Sequence, residues 1–236
     1  MAEEKSRIYP HRIMEKRAIG VGLMITLVVL ALSACGAGGG SAQEEAKAHT
    51  LPPYEAPLRP GEYRSEEFKP ALSFNVGKSW ANSEQELSDF MELVRQGEPG
   101  YLRFANVEEV YKPSTQNVVE APKDLVGWFQ HHPNLKTDEP EPVKVGGVKG
   151  EQMDVLVEDL PQDFRGECGV GCVDIAPLSG GEQSVFFKEA NKRRVIVLED
   201  VKGQTVTIDF STPVVLFDKF APEAQKVVNT VEWGGS

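Results

Sequence analysis

The cysteines are the residues of this chain whose chemistry is easiest to anticipate, because a thiol can be acylated, oxidised or bound to a metal. Cys168 and Cys172 enclose the tripeptide Gly-Val-Gly, and Cys35 stands apart near the amino end. Glycines inside so short a loop permit the positive φ angles that a tight reversal needs. A Cys168–Cys172 disulfide is the prediction, worth about 2 kcal/mol in the chain-entropy model. A redox-active pair is the alternative, although such pairs usually have two residues between the cysteines and lie near a helix N-terminus.

Histidine supply limits metal and acid–base chemistry. Of the four histidines, His11 and His49 lie outside the predicted domain, which leaves the adjacent pair His131 and His132. Neighbouring helical residues point about 100° apart, which suits joint metal binding poorly. At a helix C-terminus, both are instead favoured by the dipole and by the free carbonyl groups. We therefore predict no metal site and no cofactor.

Signatures of common enzymes are missing from the sequence. It contains neither Gly-x-Ser-x-Gly nor His-Glu-x-x-His, the motifs of many hydrolases and metallopeptidases. Adjacent carboxylates at 108–109 and 199–200 diverge, so a catalytic pair would have to come from distant residues. The segment 178–183 resembles the signature loop of ATP-binding cassette ATPases, but without a P-loop it is interpreted as a polar turn. The sequence assigns no catalytic residue.

Charge excludes one class of partner. The chain carries a formal net charge of −11, and the first 17 residues are basic, so the remainder is more acidic still. An acidic surface repels phosphate backbones, which argues against nucleic acid as a partner. Lys192-Arg193-Arg194 is the one tight basic cluster after residue 34. It is interpreted as the solvated end of a strand or turn.

The amino-terminal segment has the layout of a secretory signal. Residues 1–17 carry a net charge of +2, and the 15 residues from Ala18 to Leu32 carry none. A basic region followed by a short apolar run is typical of such signals. The run is shorter than the roughly 20 residues that a spanning helix needs. A membrane helix extended to Ala37 is the alternative.

Leu32-Ser33-Ala34-Cys35 resembles the lipobox of bacterial lipoproteins. The resemblance implies a signal peptide over 1–34, a diacylglyceryl group on Cys35, cleavage before that residue and acylation (palmitate is typical) of the new amino terminus. Two or more acyl chains attach a protein stably to a bilayer. The resemblance thus predicts a lipid anchor in the cell membrane, with the chain on the extracytoplasmic side. Such an oxidising compartment also lets a Cys168–Cys172 bridge persist.

Composition divides the rest of the chain in two. Residues 35–60 hold the lipidated Cys35 and a stretch rich in glycine and proline. This composition cannot bury a core, and it predicts a flexible tether. Residues 61–236 are predicted to form one globular domain.

The domain has the pattern of a sheet with few helices. Leu72, Phe74 and Val76 alternate with polar residues as in a strand, and further strands are predicted at 101–107, 151–158, 173–176, 184–187, 194–198 and 205–210. Helices are predicted over 121–130, 213–220 and 222–228, and turns at 146–147 and 202–203. For 83–96 the sequence favours a capped helix, while a hairpin with its turn at 97–100 stays open. This order predicts an α+β fold, a mainly antiparallel curved sheet with two or three short helices.

Two further resemblances concern the domain. Its element order and the tryptophans at 80, 128 and 233 resemble the PsbP-like fold, named for an extrinsic photosystem subunit. The runs 132–133, 145–150 and 201–203 resemble uncharacterised exported bacterial lipoprotein domains, which implies no activity.

The function predicted from these features is non-enzymatic binding. The partner would be an envelope protein or a small ligand, the latter in a pocket built from some of the aromatic residues. An envelope hydrolase with a carboxylate-based site is one alternative. A thiol-redox protein that uses Cys168 and Cys172 is the other.

Overall fold

Most of the described chain is β-strand. The computed structural model describes residues 48–54, 56–83, 86–113, 115, 117–160, 164–166, 168–179 and 184–234. Its strands are β1 (His49–Thr50), β2 (Gly61–Arg64), β3 (Leu72–Val76), β4 (Trp80–Asn82), β5 (Phe90–Arg95), β6 (Tyr101–Asn106), β7 (Glu109–Tyr111), β8 (Val118–Glu120), β9 (Leu135–Thr137), β10 (Glu141–Val145), β11 (Val148–Val157), β12 (Arg165–Gly166), β13 (Gly169–Val170), β14 (Cys172–Pro177), β15 (Ser184–Lys188), β16 (Asn191–Val201), β17 (Gln204–Pro213) and β18 (Glu232–Trp233).

Helices in these residues are short: α1 (Leu125–Gln130), a 3-10 turn (Val214–Leu216) and α2 (Phe217–Val228). The α+β prediction is confirmed. The break predicted before Pro222 is wrong, because α2 continues through this proline. Its apolar face lies on the sheet, and this packing holds the helix together despite the missing N–H of the proline.

One large antiparallel sheet organises the domain. Its strands run in the order β10-β11-β16-β17-β6-β5-β4, and β9 also pairs with β11. A smaller sheet has the order β1-β2-β3-β18. The turns predicted at 146–147 and 202–203 are confirmed; the latter has φ angles of +55° at Lys202 and +87° at Gly203. Positive φ at both central residues matches the right-handed twist of the flanking strands.

Both faces of the large sheet are covered. Met91, Phe104 and Ile208 lie on one face, in a core shared with α2 and the small sheet. On the other face, Ala105 and Val195 belong to a second core, which includes residues of α1 and of the β14–β15 hairpin. Side chains of a strand alternate between faces, so each central strand contributes to two cores.

The helix favoured over 83–96 is wrong because both faces of the large sheet are covered. The segment contains β5, which pairs with β6 in the hairpin alternative. Phe90 and Met91 are neighbours, yet both are buried, because each faces a different core. A strand buried on both sides loses its alternation, and its apolar residues then imitate a helical stripe. Within the predicted capping box, residues 83–86, the two intervening residues Glu84 and Gln85 lie outside the described part of the chain.

The packed domain begins before residue 61. β1 pairs with β2 in parallel, and Leu58 is 5% exposed within the core beneath α2. The carboxyl-terminal part of the tether predicted over 35–60 is therefore docked on the domain. Proline at 57 still fits, since it forms only an isolated bridge with Ala81 at the sheet edge.

Candidate functional site

A cavity of about 590 Å³ lies against the second face of the large sheet. β5, β6 and the carboxyl end of β17 contribute the sheet side, while β15 and Cys168 contribute to the opposite side. Its apolar lining includes Phe90, Pro99, Leu178, Phe186 and Pro213. Its polar lining includes Glu92, Tyr101, Arg103, Ser184, Lys188 and Thr212. This volume falls in the usual range for small-molecule sites, about 300–1,000 Å³.

Strand register brings charged residues together in the floor of this cavity. Glu92 of β5 and Asp209 of β17 both lie opposite Arg103 of β6. Two positions further along β17, Ser211 lies opposite both Tyr101 of β6 and Arg193 of β16. All of these residues share one face, because they are separated by two positions along their strands.

Asp209 and Arg103 form the centre of this cluster. The guanidinium of Arg103 donates to both carboxylate oxygens of Asp209, each at a distance of 3.0 Å. Its Nη2 also lies 3.2 Å from the Tyr101 hydroxyl and 3.4 Å from the Phe186 carbonyl oxygen. Glu92 approaches the same guanidinium, with 3.9 Å between Oε2 and Nε. A bidentate pair of this kind fixes orientation as well as charge.

Arg193 lies behind this pair and corrects a prediction. It was expected to be solvated with its neighbours, but it is fully buried. Its guanidinium carbon lies 3.5 Å from the centroid of the Phe187 ring. Its Nη1 lies 3.3 Å from the Tyr101 hydroxyl, so both guanidiniums share this acceptor. The expectation failed because β16 is a central strand whose inward positions are covered by the β14–β15 hairpin.

The other two basic residues of the cluster point to the opposite face. Lys192 and Arg194 form ion pairs with Asp154 at 2.9 Å and 2.7 Å. Burial would raise the pKa of Asp154, but hydrogen bonds from Arg194 and Lys192 lower it below its usual range. These two side chains are about a quarter to a third exposed, which is closer to the predicted solvated face.

Burial and charge act on the two buried arginines in different proportions. Burial alone would lower the pKa of Arg103, but Asp209, Tyr101 and Glu92 together outweigh it, and the pKa is raised. For Arg193, burial dominates and lowers the pKa, since Asp209 is farther away at 3.8 Å. Both remain cations at neutral pH, because an arginine side chain titrates only far above it. The site can therefore attract and orient an anionic or polar group.

The predicted disulfide is present and borders the cavity. Cys168 and Cys172 are bonded, and Cys168 contributes to the lining. The intervening glycines have φ angles of +103° at Gly169 and +73° at Gly171, as the tight loop required. The glycine 171 carbonyl accepts from the Glu189 N–H, which ties this loop to the β15–β16 turn.

Neither histidine takes part in the cavity. His131 caps α1, with its Nδ1 2.6 Å from the Gly127 carbonyl oxygen. His132 is buried, packs edge-on against Trp128 and accepts from the Asn134 N–H at its Nδ1. Burial lowers the pKa of His132 to about 4, so the expected benefit of a helix C-terminus to its charged form is outweighed. Within the described residues no cluster of potential metal ligands occurs.

This buried histidine makes stability depend on pH. We expect the free energy of unfolding to fall as pH drops from about 6.5 towards 4, because the unfolded chain binds a proton that folded His132 excludes. The loss should be on the order of 2 kcal/mol. Urea unfolding across this range measures it. His132→Gln should flatten the pH dependence of the free energy of unfolding, while His131→Gln, at the exposed neighbour, should leave it unchanged. The same pH dependence in the wild type and both variants would contradict the assignment to His132.

Several sequence features lie partly or wholly outside the described residues. These include the lipobox with Cys35, the amino-terminal part of the tether and residues 180–183 of the ATPase-like loop. Of that loop, Leu178 is buried at the cavity and Ser179 donates to Asp89, as a turn residue would. Among the described residues, no helix is long and apolar enough to span a membrane.

Arg103 and Asp209 were missed by sequence analysis, since 106 residues separate them. Alternation gave no signal for the pair: Arg103 shares its side of β6 with Tyr101 and Ala105, and Asp209 shares its side of β17 with Thr207 and Ser211, which is closer to the pattern of a solvated face. These positions are buried because the second face of the sheet is covered. Sequence alone does not reveal which strands are neighbours.

No protein-family model matches the chain, and no curated protein does so either. Among solved structures, the chain is similar to cyanobacterial PsbP (CyanoP) from Synechocystis, at 10% identity and a TM-score of 0.42 over 75% of this chain and 95% of that one. It is also similar to the Ran-binding protein Mog1p of Saccharomyces cerevisiae, at 10% identity and a TM-score of 0.39, over 74% of this chain and 96% of that one. A third similar structure is LpqN, involved in cell envelope biogenesis of Mycobacterium tuberculosis, at 8% identity and a TM-score of 0.32, over 75% of this chain and 89% of that one. At such scores these likenesses assign no activity.

Proposed function

We propose that this chain is a lipid-anchored extracytoplasmic protein whose domain binds a small ligand in the cavity above Arg103. Support for the location comes from the sequence, where a basic segment, an uncharged apolar run and the Leu-Ser-Ala-Cys motif follow one another. In this arrangement residues 1–34 are removed, Cys35 carries the acyl chains, and the residues after it connect the membrane to the domain.

The observation that carries the binding proposal is a polar cluster in the floor of a mixed cavity. Buried charges are costly to desolvate, and apolar residues of similar volume often stabilise a core equally well. Arg103 and Asp209 are nevertheless each only 3% exposed. A few polar groups at the base of a largely apolar pocket are typical of ligand sites. The cluster is therefore interpreted as a recognition element.

The carboxylates of this site already accept hydrogen bonds from neighbouring side chains, which favours binding over catalysis. Both oxygens of Asp209 accept from Arg103, and Glu92 accepts from the Ser83 hydroxyl at 2.8 Å. A general acid or base must be able to exchange a proton with a substrate in the site. Asp209 is committed to an ion pair instead. A hydrolase would have to rely on Glu92, which makes this residue the one to test.

Thiol chemistry has less support than binding. Cys168 and Cys172 lie among the short strands β12, β13 and β14. A redox-active pair usually lies at a helix N-terminus, whose dipole favours the thiolate, and no helix begins among the described residues next to this loop. The bridge is interpreted as structural, since it fixes the loop at the cavity rim.

Ligand binding is tested with the full-length protein taken from its own cells. After extraction in mild detergent and denaturation, small molecules released from the protein are identified by mass spectrometry. Ser184→Trp places an indole in the cavity, while Lys144→Trp places one on the exposed edge strand β10. We expect a compound that accompanies the wild type and the Lys144 variant and is reduced at least about tenfold with Ser184→Trp, corresponding to 1.4 kcal/mol.

Two outcomes would contradict this function. Equal amounts of the same compounds with all three proteins would place binding outside the cavity. Turnover of an envelope substrate that Glu92→Gln abolishes, without loss of folding, would show an enzyme and overturn the non-enzymatic assignment.

A further inference from the structure

The cluster below the cavity has more hydrogen-bond donors than acceptors. A guanidinium offers five N–H donors and no acceptor. Tyr101 and the Phe186 carbonyl each face both arginines. Nε and Nη2 of Arg193 are buried without a hydrogen-bond partner among the described residues. Such orphaned buried donors are uncommon in folded proteins and call for an explanation.

Donors also face the cavity itself. Arg103 uses its Nε and Nη2 for Asp209, Tyr101 and Phe186. Its Nη1 makes no hydrogen bond within the described part of the chain, and it is not among the atoms that are buried without a partner. Because Arg103 lines the cavity, these N–H groups are available to a molecule inside it.

Charge around the cavity is also unbalanced towards positive. Among the described residues that line the cavity or contact its buried ion pair, Arg103, Arg193 and Lys188 are cationic and Asp209 and Glu92 are anionic. The excess among these residues is one positive charge, in a chain whose net charge is −11. One monoanionic group would balance it and would supply an acceptor for Nη1 of Arg103.

The rest of the lining suits an apolar body. Phe90 and Leu178 are buried beside the cavity, and the partly buried Phe186 also lines it, with its ring centroid 5.4 Å from the Nζ of Lys188. A ligand with an anionic head at Arg103 could therefore bury its carbon chain or ring against these residues. Apolar contact of this kind contributes in proportion to the area removed from water.

We infer that the ligand is a small organic acid, whose carboxylate binds Arg103 and Lys188 and whose apolar body lies along Phe90, Leu178 and Phe186. This inference rests on the proposed function and specifies its ligand class. A carboxylate fits better than a phosphate dianion, because the excess charge is one. Planar guanidinium N–H groups match the geometry of carboxylates and phosphates alike, so the charge decides between the two.

Isothermal titration of the full chain in lipid nanodiscs tests the ligand class with four probes. Octanoate has both features, octanol lacks the charge, acetate lacks the apolar body, and octyl phosphate carries the other anionic head. We expect octanoate to bind at least about tenfold more tightly than the other three, a difference of 1.4 kcal/mol. Ser184→Trp should abolish this binding, and nanodiscs with that variant correct for partition into lipid.

Variants assign the recognition to the named residues. Lys188→Met, at the exposed rim, should weaken octanoate severalfold and leave octanol unchanged, while Lys144→Met on edge strand β10 should change neither. Arg103→Gln/Asp209→Asn removes both charges of the central pair but keeps an amide pair, and it should erase the preference for octanoate over octanol.

Each other result contradicts a different claim. Equal binding of octanoate and octanol, lost with Ser184→Trp, would refute the acid but support a ligand cavity. Tighter octyl phosphate would replace the carboxylate by a phosphate. If no probe binds while a native compound depends on the cavity, the acid inference fails and the binding function stands; if no native compound depends on it either, both fail.

Discussion

Asp209→Ala is expected to lower the free energy of unfolding by about 3–5 kcal/mol, because it leaves two buried guanidiniums without their carboxylate. Arg103 loses both short hydrogen bonds, and Arg193 loses its nearest anion at 3.8 Å. An uncompensated buried charge costs far more than the net value of the pair. Urea or thermal unfolding of the variant measures the loss.

Two variants separate this effect from a general loss of an ion pair. Asp154→Ala removes a carboxylate from Arg194 and Lys192, whose side chains are 30% and 27% exposed, and should cost about 1 kcal/mol because both can be hydrated. Arg103→Gln/Asp209→Asn should cost less than Asp209→Ala alone, since it leaves one buried guanidinium, that of Arg193, without the Asp209 carboxylate instead of two. A loss below about 1 kcal/mol for Asp209→Ala would mean that water enters and solvates the arginines.

Cys35→Ser is expected to remove the protein from the membrane fraction, or to leave an unprocessed precursor. The proposed acyl chains contribute about 0.8 kcal/mol per buried CH₂, so their loss abolishes stable attachment. Fractionation combined with mass spectrometry of the amino terminus gives the answer. The wild-type protein should begin at an acylated Cys35, without residues 1–34.

The other cysteines provide the matched control for this variant. Cys168→Ser/Cys172→Ser removes two thiols but no acylation site, so the protein should stay in the membrane fraction while its stability falls by about 2 kcal/mol. If the Cys35→Ser protein is still recovered in the membrane fraction with an intact amino terminus, the result would instead support an uncleaved helix that includes Ala18–Leu32.

Local sequence signals predicted those parts of the fold that local chemistry determines. The Lys202-Gly203 turn and the Cys168–Cys172 loop each need positive φ angles, and glycine supplied the signal in both. Strands with one solvated face also alternated visibly. The helix favoured over 83–96 failed because Phe90 and Met91 are buried on opposite faces, a fact that depends on what covers the sheet.

The site was hidden for the same reason. Arg193 is an ordinary member of a basic triplet in the sequence, and only the pairing of β16 with β17 brings it near Asp209. Arg103 reaches Asp209 through the pairing of β17 with β6. Strand order and the covering of the second face depend on long-range packing, so neither the burial of these charges nor their pairing can be identified from local sequence.

The most direct test of the account is an experimental structure of the full-length protein purified from its own cells without exchange of its ligand. The account predicts a small molecule in the cavity, with an oxygen within hydrogen-bond distance of Arg103 Nη1 and its carbon body against Phe186. A cavity that holds only water, with a bound compound on another surface of the domain, would contradict it.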